Sequence, residues 1–291
     1  MTGILLGLFS ALCWGCADYL VNRATARVAV LPAVLVVQVV GLVALLPALA
    51  LARPPLPDAA TAWQLVGLGA VGAAGYLLLF RAFASGALTI VSPVASAYGA
   101  YTVALAVLFL HERPSPPQLA GIGLVLVGVV LAAVHLDAPE DAGPGVARPR
   151  VGLAAGLPVA LAASVMLGVV FFWLGLLVPR TGALTPTIAM RLVGSALLGL
   201  ALGARGGWRV WRIPANAWPL LLPIGALDAA GFLAYSQGIT GAYVSIVAPL
   251  GACFSVVTVA LAALLLGERP AGVQRVGIAL VIVGVAALAL R

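Results

Sequence analysis

The chain has 291 residues, of which 64% are hydrophobic and only 8% charged, with a formal net charge of +7. Soluble domains carry about 25% charged residues, so this composition excludes a water-soluble globule. Every strongly basic residue is arginine, which excludes a Walker A phosphate loop and lysine Schiff-base chemistry; the arginines are scattered singly, which is not a nucleic-acid footprint.

Apolar runs predict spans, in chain order, over 3–21, 28–50, 63–84, 88–110, 118–134, 151–177, 185–202, 218–237, 244–266 and 273–290. Runs near twenty residues cross hydrocarbon as helices, and only helices and closed barrels satisfy their backbone there. Barrel strands alternate apolar and polar; residues 121–134 are apolar all round, so the spans are read as helices. The first run has no basic stretch before it and is taken as a retained span rather than a signal peptide. Arg53-Pro54-Pro55 and Arg113-Pro114 punctuate the boundaries after spans two and four. Turns at Ser85-Gly86 and after Gly238 predict antiparallel hairpins, and Trp63, Trp211 and Trp218 fit an interfacial aromatic belt. The polar stretch 137–150 falls at the midpoint and reads as a linker between two halves, 1–136 and 151–291.

Sliding the chain by 156 residues places Thr102 on Thr258, Glu112-Arg113-Pro114 on Glu268-Arg269-Pro270, Gln118 on Gln274, Gly121 and Gly128 on Gly277 and Gly284, and Pro93 on Pro249. Across 75–134 and 231–290 there are 24 identities in 60 gapless positions. Earlier spans match more weakly, with Gln38 and Gly41 on Arg191 and Gly194. Five spans per repeat is an odd number, so the second half runs inverted with respect to the first, an architecture of many secondary transporters.

With its Trp14-Gly15 pair in the first span and a Glu-Arg-Pro ending to spans four and nine, the chain resembles the EamA family of the drug/metabolite transporter superfamily. The resemblance implies an all-α integral membrane protein of about ten transmembrane helices, in two inverted five-helix repeats around a central cavity. It also implies secondary transport of small metabolites, without naming a substrate. The expected setting is the plasma (inner) membrane, as a multi-pass protein. The expected partners are a small-molecule substrate and the lipid bilayer, with no nucleic acid, cofactor or metal; oligomeric state is left open, a monomer included. Orientation has two readings. A cytoplasmic N-terminus leaves four arginines at the inner side against eight outside, so the positive-inside rule places the termini outside, whereas the resemblance places them inside.

Ionisable residues within spans cost about 2.5–3.5 kcal/mol at the bilayer centre and are functional candidates by default. Asp228 shares a face with Tyr235; it either couples transport to protons or binds a cationic group, or else pairs structurally with an arginine such as Arg191. Asp18 follows Trp14 by one helical turn, which suits a cationic or aromatic ligand; the plainer reading is an ion pair with Arg23. Arg81 and Arg191 can hold a carboxylate or phosphate through bidentate bonds, although Arg81 is near its span end and can snorkel. Pro93 and Pro249 interrupt corresponding spans of the two halves, the strongest sequence pointer to a central site. Tyr98 and Tyr101 follow Pro93, while Phe254 and Val257 stand at the matching positions, so the expected cavity carries its hydroxyls on one side; packing is the alternative role. Glu112 and Glu268 end their helices, where a carboxylate is unfavourable, and read as structural, with a basic partner expected.

Three other motifs carry no chemistry in this reading. Gly67-x-Gly69-x-x-Gly72 lies in a span with no preceding strand and reads as close packing. Cys13-x-x-Cys16 has no nearby histidine, and His111 and His135 are isolated. No catalytic residues are assigned. A lipid flippase, an uncoupled channel and, less favoured, an intramembrane enzyme are the alternatives to a carrier.

Overall fold

The structure is a computed structural model that describes residues 1–85, 88–133, 156–204, 206, 213–266 and 272–288. The expected linker 137–150, His135, Trp211 and Glu268 lie outside the described residues. Among the described residues the architecture is helical, without strands. The first half contributes α1 (Thr2–Thr25), α2 (Val30–Ala52), α3 (Ala59–Ser85), α4 (Leu88–Ser96), α5 (Tyr98–Phe109) and α6 (Pro116–Ala133). The second contributes α7 (Leu157–Thr181), α8 (Leu184–Ala204), α9 (Trp218–Gly238), α10 (Val244–Ala252), α11 (Phe254–Leu266) and α12 (Gly272–Leu288). Six helices are long and apolar enough to cross a membrane, and four shorter apolar helical stretches accompany them. Apolar side chains such as Leu200 and Leu264 stand 71% and 79% exposed, which only a lipid environment makes favourable. The chain is a multi-pass membrane protein.

The expected spans four and nine are each broken in two. The breaks fall at Ala97 and Cys253, where local bonds tighten to Ala97 N–H to Val94 O and Cys253 N–H to Leu250 O. Each break lies four residues beyond a proline, Pro93 and Pro249. A proline supplies no amide donor and its ring crowds the carbonyl four residues back, so the ladder is weakened ahead of each break.

Boundaries follow local chemistry. Pro158 and Pro219 occupy the first turns of α7 and α9, where no amide donor is needed. Asp58 precedes α3, and the Thr61 hydroxyl bonded to it holds its carboxyl below the usual range. Arg53 ends α2 in the left-handed region at φ 41, its N–H donating to Leu49 O and its Nε to Ala50 O.

Small residues set the helix packing, because lipid supplies no hydrophobic drive between helices. A Cβ at Gly69 would stand 2.6 Å from Val193 Cβ of α8, and one at Gly67 would meet the Trp173 ring of α7 at 2.7 Å. The Gly67-Gly69-Gly72 segment is therefore where α3 is closely approached by α7 and α8. Gly121 lies against Gly284 O and Gly128 against Gly277 O, so α6 and α12 cross antiparallel.

Candidate functional site

The helices meet around a central cavity of about 40 Å³, with room for a few water molecules. Its lining comes from α1 (Trp14, Asp18), α3 (Tyr76, Phe80), α5 (Tyr98), α7 (Phe171), α9 (Asp228, Phe232) and α11 (Phe254), with aliphatic residues between them. Gly231 makes room for this lining, since a Cβ there would be 2.6 Å from Trp14 Nε1. The aromatic rings pack on one another. Trp14 stands edge-on to Phe171 and Phe232, at 5.3 and 5.2 Å between centroids. Tyr98 stacks on Phe171 at 4.4 Å and lies parallel to Phe254 at 6.1 Å. Tyr98 and Phe254 are repeat-equivalent, and each is the first residue after its helix break.

A buried polar cluster lies beside the rings. Arg191 of α8 is 1% exposed and Asp228 of α9 4% exposed, and Arg191 Nη2 lies 2.5 Å from Asp228 Oδ2. Arg191 Nη1 donates to Gln38 Oε1 of α2, and the Tyr76 hydroxyl of α3 donates to Asp228 Oδ1. The guanidinium also lies over the Phe232 ring at 5.1 Å. Gly41 and Gly194 let this happen. A Cβ on Gly41 would crowd Arg191 Nε at 3.3 Å, and a Cβ on Gly194 would overlap the Gln38 amide. Four elements are thus tied by one ion pair whose members leave water together. Such a pair needs hydrogen bonds to its remaining atoms; Gln38 serves Arg191 Nη1 and Tyr76 serves Asp228 Oδ1, while Arg191 Nε is buried without a partner.

Asp18 contrasts with Asp228. It is 8% exposed and lines the cavity, yet it has no ion pair or hydrogen bond among the described residues. The Arg23 partner expected from sequence is not there: Arg23 lies over the Tyr19 ring at 5.1 Å instead. Trp14 Nε1, Tyr98 Oη and Tyr235 Oη are likewise buried without partners.

The sequence candidates therefore divide. Trp14, Asp18, Tyr98 and Asp228 line one cavity. Tyr235 is fully buried behind Trp14 and Phe171, at 6.0 and 4.7 Å, rather than on the cavity wall. Arg191 is at the centre, and its charge is engaged by Asp228, the structural pairing that was the alternative to an anion site. Arg81 is exposed and away from the cavity, as a snorkelling side chain would be. Tyr101 is 37% exposed on the outer side of α5, where its Cβ fills the space beside Gly168. Pro249 is buried in α10; Pro93 falls within α4, where its side chain is not among those described.

Glu112 has a different partner from the basic one expected. His111, just beyond the end of α5, has φ 55, turning the chain so that the Glu112 carboxylate accepts from Val244 N–H and Ser245 N–H at 2.7 and 2.8 Å. These are free donors at the start of α10, and a carboxylate is stabilised there. Glu112→Ala is expected to lower stability by about 1–2 kcal/mol, with Glu112→Gln in between; detergent-solubilised melting curves check the order. An Ala variant as stable as wild type would show that this cap contributes nothing.

Sequence reasoning missed Tyr76, Phe171 and Phe232, and treated Gln38 only as a mismatch with Arg191. One signal was present. Tyr76 is repeat-equivalent to Phe232, so one half carries a hydroxyl where the other carries a bare ring, the same asymmetry as Tyr98 and Phe254.

A bundle of apolar helices that surrounds an aromatic cavity with buried charges defines a polytopic membrane protein. The EamA-like transporter family matches residues 1–134 and again 154–290, and the chain belongs to that family. The family is one of transporters, of the drug/metabolite type. An uncharacterised protein of Methanocaldococcus jannaschii is 43% identical over 60 residues, 21% of this chain and 44% of that protein. The chain thus spans under half the length of that curated relative. A solved crystal structure superposes with a TM-score of 0.76 at 20% identity, covering 99% of this chain and 98% of the other; this likeness concerns the fold. Among the described residues no group of three His, Cys, Asp or Glu side chains is placed to hold a metal.

Proposed function

We propose that the protein is a secondary transporter that moves a small metabolite or drug-like molecule across the plasma membrane by alternating access. The observation that carries this reading is the cavity between two helices broken at repeat-equivalent positions, Ala97 and Cys253. The halves 1–136 and 151–291 are read as inverted repeats. Two pairs of contacts and one single contact support that. The Thr102 hydroxyl of α5 is shared between Tyr98 O at 2.8 Å and Gly168 O of α7 at 3.2 Å, and that of its counterpart Thr258 of α11 between Phe254 O at 2.9 Å and Gly15 O of α1 at 3.3 Å. Gly121 and Gly128 of α6 meet Gly284 and Gly277 of α12 in reversed order. Gln38 and Arg191, also equivalent, touch each other, as residues beside a two-fold axis do.

A 40 Å³ cavity is smaller than a metabolite, so the rings around it part during transport. Broken helices supply the hinge, because α4 and α10 can tilt without shearing α5 and α11.

The test is uptake of a solute panel into proteoliposomes, combined with thiol labelling of single cysteines placed at either end of the cavity after replacing Cys13, Cys16 and Cys253. Ligand should raise labelling at one end while lowering it at the other. Simultaneous access from both ends would identify a channel, and lipid movement without solute uptake a flippase.

A further inference from the structure

We infer that the cavity selects organic monocations, amines with a flat apolar body, through the unpaired carboxylate of Asp18. This rests on the transporter reading and adds the substrate class to it.

Two carboxylates line the cavity, Asp18 and Asp228, and no arginine, lysine or histidine does. Asp228 is already compensated by Arg191 at 2.5 Å. Asp18 has no such partner, and its nearest arginine in sequence, Arg23, is placed over Tyr19. A buried carboxylate without a counter-charge is costly, and a cation brought by the ligand relieves that cost. The other walls fit the same ligand. Trp14, Phe171 and Phe232 present ring edges and faces to one another at 5.2 to 5.4 Å, and Tyr98 and Phe254 continue the aromatic surface. Ring faces attract cations, with tryptophan the strongest, and a flat body can enter between rings that already stack.

The same charge balance disfavours other charge types. An anion would enter a site whose only uncompensated charge is negative. A zwitterionic amino acid could place its ammonium on Asp18, but its carboxylate would find no cation on the lining. Arg191 could supply one only by leaving Asp228.

The test compares three compounds sharing an indole body: tryptamine (cation), tryptophan (zwitterion) and indole-3-acetate (anion). Equilibrium binding to the full-length protein in detergent is measured by calorimetry, and uptake in proteoliposomes in parallel. Tryptamine should bind at least tenfold more tightly than either of the others. Asp18→Asn should weaken tryptamine at least tenfold and narrow its lead, and Asp18→Glu should keep the ranking. Should Asp18→Asn fail to fold, the wild-type ranking decides. Equal affinity for all three, no binding of any, preference for indole-3-acetate, or unchanged tryptamine affinity in a folded Asp18→Asn variant would overturn the inference. Uptake of other solutes alongside any of those results would leave the transporter reading standing. Asp18-dependent tryptamine binding without transport of any solute would instead retain the cation site and remove the transporter.

Discussion

Arg191→Gln should destabilise the protein by roughly 3–5 kcal/mol, and adding Asp228→Asn should recover most of that loss. Removing the guanidinium leaves Asp228, 4% exposed, without its counter-charge. It also removes the guanidinium donor to Gln38 Oε1, a place that the glutamine amide at 191 can take. The second substitution removes the stranded charge while leaving an amide oxygen to accept from Tyr76. The double variant then places a glutamine at 191 opposite Gln38, the identical pair that two unaltered repeats would present, and two amides satisfy each other at short range. A double-mutant cycle on thermal or denaturant unfolding of the purified protein reads the coupling. Additive losses would mean that the two side chains do not act as a pair, and the central cluster would lose its place as the tie between α2, α3, α8 and α9.

The spans were legible because a run of apolar residues must lie in lipid however its neighbours pack. The repeat was legible through polar and small residues such as Glu112, Gln118 and Gly121, which apolar drift does not place. Side-chain direction was not. Tyr98 and Tyr101 are three residues apart on a helix with no polar face, so nothing in the pattern sets its rotation. Close approach at Gly168 sets it, turning Tyr98 inward and Tyr101 outward. The helix breaks were foreshadowed by Pro93 and Pro249, but the aromatic residues that exploit them begin five positions later, at Tyr98 and Phe254. Partner choice was legible only as alternatives. Asp228 with Arg191 was one of two readings, whereas Arg23 lies over the Tyr19 ring and makes no ion pair with Asp18. Glu112 was recognisable as structural, yet its partner is backbone 132 residues away, and a contact between backbone and a distant side chain leaves no residue type to search for.

Gly15→Val and Gly168→Val should both be severe, and comparably so, because they occupy matching places in the two halves. A Cβ on Gly15 would stand 2.5 Å from Val257 Cβ and 2.7 Å from Phe254 O; one on Gly168 would stand 2.8 Å from Tyr101 Cβ and 3.3 Å from Tyr98 O. Relief at Gly15 requires moving the backbone of α11 away from α1, and at Gly168 of α5 away from α7. Either movement also lengthens a hydrogen bond, Thr258 to Gly15 O or Thr102 to Gly168 O. Overpacking alone costs about 1–3 kcal/mol, and the lost bond about 1 kcal/mol more. The rings suffer as well, since Phe254 and Tyr98 head the helices that would shift. Thr258→Val and Thr102→Val separate the two effects, removing the hydroxyl while leaving the approach intact, and should cost only the smaller amount. Yield of monodisperse protein and its melting temperature are the readouts. A large loss at one glycine beside a mild one at the other would show that the two docking sites are not equivalent, and the inverted-repeat reading would lose the contacts that support it best.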